Sequence, residues 1–223
     1  MPPRAKAVPA TTVLFVRHGQ TPTTGAVLPG RAKGLHLADK GHEQAEAVAR
    51  RLGELKRVDA VYASPLERAK ETAAPIGRAR GLRVTTERGL LECDFGEWTG
   101  RSLKELAKLA EWATVQRYPS GFRFPGGESF AEMQARITAT VADLVRRHPG
   151  GTIVAVSHAD PIKAAVAAAV GTHLDLFQRI VISTCSVTTI AYGATGPMVL
   201  NVNSTAPAPE PAPAPARARG GDG

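Results

Sequence analysis

The sequence predicts an α/β fold, a three-layer sandwich with a mostly parallel central sheet flanked by helices. Three observations carry that reading. Short apolar runs alternate with longer segments of helical periodicity. The connections between runs are long enough to carry a helix and return each strand parallel to the last. Several apolar runs end abruptly in polar residues, as strands do where a parallel sheet meets its ligand.

The elements follow in order. "TVLFV" (12–16) reads as a buried strand that ends in Arg17 and His18. In "DKGHEQAEAVARRLGELK", Ala45, Val48, Ala49, Leu52 and Leu55 mark one face of a helix. "VDAVYAS" (58–64) is the next strand and runs into the helix "SPLERAKETAAPI". Ser64 is its expected N-cap, Pro65 its first residue and Glu67 the closing carboxylate of a capping box. "SFAEMQARITATVADLVRR" repeats the box with Ser129 and Glu132 and turns Phe130, Met133, Ile137, Val141 and Leu144 inward. "TIVAVS" (152–157) is a third strand, followed by a helix for which Asp160 is the expected cap. "RIVISTCSVTTIAY" and "PMVLNV" close the sheet.

A chain of 223 residues suffices for one such domain, expected over residues 13–203. Residues 1–12 read as a flexible leader. The alternating Pro and Ala of 204–223 read as a disordered tail, because they cannot bury enough surface to offset their ordering entropy. No apolar run approaches the ~20 residues that cross a bilayer, so no membrane partner is expected. Cys93 and Cys185 form no disulfide framework, and a cytoplasmic setting follows. The formal charge is +8, of which Arg4 and Lys6 supply two and the tail none. The remaining basic surface attracts anions, but no aromatic-basic interleaving points to nucleic acid. Oligomeric state is not readable from these residues.

Three strand ends carry chemistry: Arg17 with His18, Ser64 with Arg68 one helical turn on, and His158. In a parallel sheet they would share one rim. Guanidinium groups clamp phosphate oxygens, and a neutral imidazole can attack phosphorus and carry the phosphoryl group. Fixed positive donors stabilise the charge of phosphoryl transfer, and a carboxylic acid can protonate the departing alkoxide. A metal site built from His18, Glu92, His158 and Asp160 is the rival reading. The flanking arginines would repel the cation, so neither metal nor cofactor is expected. Cys93 reads as packing, Phe95 and Trp98 as core plugs, and His36, His42, His148 and His173 as exposed histidines whose partners, if any, are not identifiable in the sequence.

"RHGQT", "SPLERAKETA", "LLECDFGEWTG", "PGGESF" and "VSHAD", in this order, resemble the histidine phosphatase superfamily, phosphoglycerate-mutase-like branch. The resemblance spans about residues 13–203. It implies that His18 is the nucleophile, that Arg17, Arg68 and His158 bind the phosphoryl group, and that Glu92 is the proton donor and later the base. It also implies a sharp backbone turn at Gly19, a phosphate contact from Thr24 where many members have asparagine, and a further donor in the Ala159 amide. Arg31, with Lys33, Arg117 and Arg123, is a candidate for a second anionic group on the substrate, and Lys163 a candidate to face the cavity.

The resemblance implies hydrolysis of a small phosphorylated metabolite. "ECDFGEWTG" matches the phosphatase pattern rather than the His-Tyr-Gly run of dedicated mutases. Mutase-type transfer is the alternative, and a non-catalytic phosphate-binding scaffold the remote one.

Overall fold

Val13 and Phe15 face one side of the first strand and Leu14 and Val16 the other, and all four are buried. A strand covered on both faces belongs in the middle layer of a sandwich. The computed structural model describes residues 9–205 and places it there. Its strands are β1 (Thr11–Arg17), β2 (Ala60–Ala63), β3 (Val84–Thr86), β4 (Thr152–Ser157), β5 (Val187–Gly193) and β6 (Gly196–Ser204). Its helices are α1 (Asp39–Gly53), α2 (Glu67–Arg80), α3 (Leu103–Leu106), α4 (Glu111–Arg117), α5 (Phe130–Arg147) and α6 (Ala159–Ala169). The six-stranded sheet has the order β3-β2-β4-β1-β5-β6. The first four strands in the chain run parallel, and β5 and β6 are antiparallel.

The two outer layers follow from the amphipathic faces. Ala45, Val48, Ala49 and Leu52 of α1 pack with Ala69, Ala73 and Ile76 of α2 beneath Leu14 and Val16. On the other face Met133, Ile137, Val141 and Leu144 of α5 join Ile162 and the alanines of α6 under Val13 and Phe15. The alanine-rich stretch thus packs inside its own chain. The Ser129–Glu132 capping box forms as expected, with reciprocal bonds of 3.1 and 2.9 Å. Phe95 and Trp98 are buried in an aromatic cluster with Phe122 and Phe124.

Several expectations need correction. The α2 helix starts at Glu67 with Leu66 at its N-cap, so the box from Ser64 through Pro65 to Glu67 does not form. Ser64 directly follows β2, and its hydroxyl meets a tertiary partner instead. Asp160 does not cap α6 either, because His158 holds that position and the Asp160 carboxylate pairs with Lys163 at 3.1 Å. The β5 strand begins only at Val187, because Arg17 takes the Ile182 carbonyl at 2.7 Å and Cys185 adopts a left-handed φ of 53°. Edge strand β3 was not read from the sequence. His36, His42 and His173 are exposed as expected, but His36 pairs with Glu71, His173 meets Asp175 at 3.2 Å and the half-buried His148 bonds the Tyr62 hydroxyl at 2.8 Å.

The sheet also reaches past the expected domain limits. Thr11 donates its hydroxyl to the His148 carbonyl at 2.7 Å, and Arg51 holds the Ser204 carbonyl at 2.7 Å. The rest of the expected leader (1–8) and tail (206–223) lies outside the described residues.

Candidate active site

Strands β2, β4 and β1 are neighbours and parallel, so their carboxyl ends open on one rim. Val156 pairs in register with both Val16 and Ala63. One step on, His18 N–H donates to the Ser157 carbonyl at 3.0 Å and Ser64 N–H to that of Val156 at 2.9 Å. The register therefore delivers His18, Ser64 and His158 to one place.

The His18 ring has a defined tautomer. Arg68 Nε can only donate, and it meets His18 Nε2 at 3.3 Å, so Nε2 carries the lone pair. The proton sits on Nδ1, which donates to the Gly19 carbonyl at 2.7 Å. Burial first, then the charges of Arg68 and Arg17, lower the pKa of His18 well below 6.5. Gly19 is held in turn. Its N–H donates to Thr72 Oγ1 at 3.0 Å, and that hydroxyl donates to the Arg68 carbonyl at 2.7 Å.

The glycine at 19 answers to space rather than to a sharp turn, since its φ is not left-handed. A Cβ there would stand 2.6 Å from the Gly41 carbonyl oxygen, and one on Gly41 would stand 2.0 Å from that of Gln20. The start of α1 presses directly on the histidine loop.

The His158 ring centroid lies 5.1 Å from that of His18, and its Nε2 bonds Ser64 Oγ at 2.8 Å. Burial, then Arg68, lower its pKa well below 6.5. Arg68 NH2 holds the Gly30 carbonyl at 2.7 Å. At this cluster three buried nitrogens from distant segments have no protein partner among the described residues: Arg17 Nε, Arg68 NH1 and His158 Nδ1. Such atoms are costly unless a ligand meets them. An anion with several oxygens suits all three.

Glu92 is buried beside this group. Burial and, second, the charge of Asp160 raise its pKa to about 7 against the pull of Arg68 and Arg17. It is therefore a carboxyl that can both give and take a proton near neutrality. Its backbone is suspended from α5. Arg136 makes two 2.8 Å bonds to Glu128 and holds the carbonyls of Gly89 and Leu91 at 2.8 Å. The Glu92 carbonyl accepts from Arg31 Nε at 2.9 Å and Arg136 NH2 at 3.3 Å.

That network changes the reading of two candidates. Arg31 spends its guanidinium on Glu92, Asp94 and Glu128, so it is not free for a second anionic group on the substrate. Thr24 takes the Thr21 N–H at 2.8 Å and shares a 3.0 Å bond with the Thr21 hydroxyl, which ties it to a local turn instead of the cluster. Arg123 is engaged by Glu132. Ala159 opens α6, so its amide is among those without an acceptor inside the helix. Burial raises the Cys93 thiol pKa, in keeping with packing. Sequence reasoning missed Thr72, Glu128 and Arg136, and it gave Ser64 the wrong partner. The four-residue step from Arg68 to Thr72, one face of α2, was the available signal.

Fold, rim and basic cluster together form a buried site suited to an anion such as a phosphoryl group. The model of the histidine phosphatase superfamily (branch 1) matches residues 13–205, and the chain belongs to that family. It is 30% identical over 206 residues to phosphoserine phosphatase 1 of Hydrogenobacter thermophilus, covering 86% of this chain and 92% of that one. The crystal structure of a mutant phosphoserine phosphatase from Entamoeba histolytica in complex with phosphoserine matches at TM-score 0.78 and 26% identity, over 87% of this chain and 97% of that one. A mycobacterial glucosyl-3-phosphoglycerate phosphatase matches at TM-score 0.79 and 25% identity, over 88% and 100%.

Proposed function

We propose that this chain hydrolyses phosphomonoesters of small metabolites through a phosphohistidine on His18. The observation that carries the proposal is the unprotonated Nε2 of a buried, neutral imidazole, whose lone pair faces Arg68. The phosphoryl oxygens take the unpaired donors of Arg17, Arg68 and His158. A proton remains on His158 Nδ1 when the Ser64 hydroxyl donates to Nε2. His18 Nε2 bonds to phosphorus while the ester P–O bond breaks, and Glu92 gives its proton to the leaving oxygen. Water then attacks the phosphohistidine. Glu92 takes the water's proton, inorganic phosphate leaves, and both side chains return to their starting state.

Hydrolysis is favoured over mutase-type transfer by the phosphatases among its relatives. We place the reaction in the cytoplasm, supported by two free, buried thiols, Cys93 and Cys185. The test is hydrolysis of p-nitrophenyl phosphate with and without EDTA, and in His18→Ala. Turnover that resists EDTA and vanishes in the variant is expected. Unchanged turnover in the variant refutes the mechanism, dependence on a metal refutes the metal-free chemistry, and no turnover of any phosphoester leaves the scaffold reading.

A further inference from the structure

The His18 ring is fixed at two points, Nε2 facing Arg68 Nε at 3.3 Å and Nδ1 donating to the Gly19 carbonyl at 2.7 Å. That carbonyl belongs to the planar peptide between Gly19 and Gln20, so the ring is placed only as firmly as this plane is. The other side of the plane is held from outside the loop, where the Gln20 N–H donates to Gln44 Oε1 of α1 at 2.9 Å. The preceding peptide is held in the same way by α2, where Thr72 Oγ1 accepts the Gly19 N–H at 3.0 Å. Two successive peptides beside the ring each end on a side chain, and each side chain comes from a different helix.

Other ties of the loop run from main chain to main chain. Cys185 N–H donates to the Arg17 carbonyl and His18 N–H to that of Ser157, each at 3.0 Å, and Ala38 N–H donates to that of Gln20 at 2.9 Å. These secure the path of the loop through the fold. Gln44 and Thr72 instead set the tilt of the two peptides next to the imidazole. Both stand one helical step from residues that already meet the site: Gln44 is three beyond Gly41, which presses on the loop, and Thr72 four beyond Arg68.

The tilt has a chemical use. When the Nε2 lone pair forms its bond to phosphorus, the proton stays on Nδ1 and the ring becomes a cation. The bond from Nδ1 to the Gly19 carbonyl is then charge-assisted, roughly twice as strong as a neutral one. A carbonyl already held in line stabilises that cation without reorganising.

We infer that Gln44 and Thr72 are positioning residues for the proposed nucleophile. They lock the peptides on either side of Gly19, so that its carbonyl keeps the His18 proton on Nδ1 and faces the ring while the ring carries the phosphoryl group. The inference rests on the phosphohistidine reading above and deepens it.

The test measures kcat/KM for p-nitrophenyl phosphate and the inhibition constant of inorganic phosphate in Gln44→Met, Gln44→Glu, Thr72→Val and Thr72→Ser. Methionine and valine fill similar space without the hydrogen bond and should lower kcat/KM by about tenfold or more. Phosphate inhibition should stay within about threefold, because the donors of Arg17, Arg68 and His158 are untouched. Glutamate and serine keep an accepting oxygen, and kcat/KM should stay within about threefold of wild type. Gln44 is only half-buried, so its two variants decide the matter if Thr72→Val, changed at a fully buried site, does not fold. Three results overturn the inference: an unchanged kcat/KM in Gln44→Met or in folded Thr72→Val, an equal weakening of phosphate inhibition, or equal losses in Gln44→Met and Gln44→Glu. If wild type leaves p-nitrophenyl phosphate intact, or His18→Ala still turns it over, the phosphohistidine reading has failed instead.

Discussion

Arg68 Nε donates to His18 Nε2 across 3.3 Å, so the arginine marks the ring atom that carries the lone pair. The contact has a chemical consequence. Burial and this guanidinium keep the imidazole unprotonated, and in the proposed mechanism the guanidinium turns to a phosphate oxygen once phosphorus arrives at Nε2. Arg68→Lys loses the planar fork and should lower kcat/KM by about 10²-fold or more, near the cost of removing one oriented donor from an anion site. Single-turnover hydrolysis of p-nitrophenyl phosphate measures it, and a fall under threefold would contradict the role.

Glu92→Gln should discriminate between leaving groups. An alkyl alkoxide needs a proton and an aryl oxide hardly does. The loss should be about 10²–10⁴-fold for alkyl phosphates and under tenfold for the first step with p-nitrophenyl phosphate. Equal losses on both would remove Glu92 from proton transfer.

The pH profile follows from the same groups. The proposed nucleophile His18 acts as the neutral ring, and its pKa lies well below 6.5, so activity should persist into mild acid. In the proposed mechanism Glu92 is protonated for the first step, and its pKa is raised to about 7. For alkyl phosphates, kcat/KM should fall on the alkaline side of that value. With p-nitrophenyl phosphate the alkaline fall should be much shallower.

Stability should depend on pH with opposing signs. His18 and His158 have folded pKa values below their ordinary 6.5. Their contribution is complete above 6.5 and declines below it, as the unfolded chain takes up protons first. Glu92 has a folded value raised from 4.5, so its contribution is complete below 4.5 and is lost as pH rises toward 7. Urea unfolding between pH 7 and 5 should therefore show a steeper acid loss in Glu92→Gln and a shallower one in His158→Asn than in wild type. Slopes in both variants equal to that of wild type would mean that these groups titrate normally in the folded chain.

The Glu128–Arg136 pair supports the Glu92 loop from α5. Glu128→Gln removes the charge on which Arg136 and Arg31 both converge and should cost about 1–3 kcal/mol of stability. Activity on alkyl phosphates should fall further than on aryl phosphates, because the misplaced group is the acid. Stability lost with no change in that ratio would make the network structural only.

Gly41→Ala would put a methyl group 2.0 Å from the Gln20 carbonyl oxygen. Relief requires the histidine loop to move, at about 1–3 kcal/mol. A shift near 1 Å at His18 can cost on the order of 10²-fold in rate. Thermal unfolding and kcat together check this, and an unaltered kcat would show the loop to be compliant.

The residues themselves carried the layers and most of the rim. Periodicity placed α1 and α5, because an amphipathic face is a local pattern that the core then rewards. Strand ends marked Arg17, His18 and His158, because a buried run must stop where side chains become polar. Composition also showed the charge balance and the unpaired cysteines. Other features were decided only in three dimensions. Ser64 had a local use as a cap and lost it to a histidine far along the chain, since a buried imidazole nitrogen left without a partner is costly. Arg31 looked like a free cation until the fold brought Asp94 and Glu128 to it. Local patterns are written in neighbouring residues and can be read there. Partner choice among polar groups depends on which segments the packed sheet brings within about 3 Å, and that distance exists only after folding.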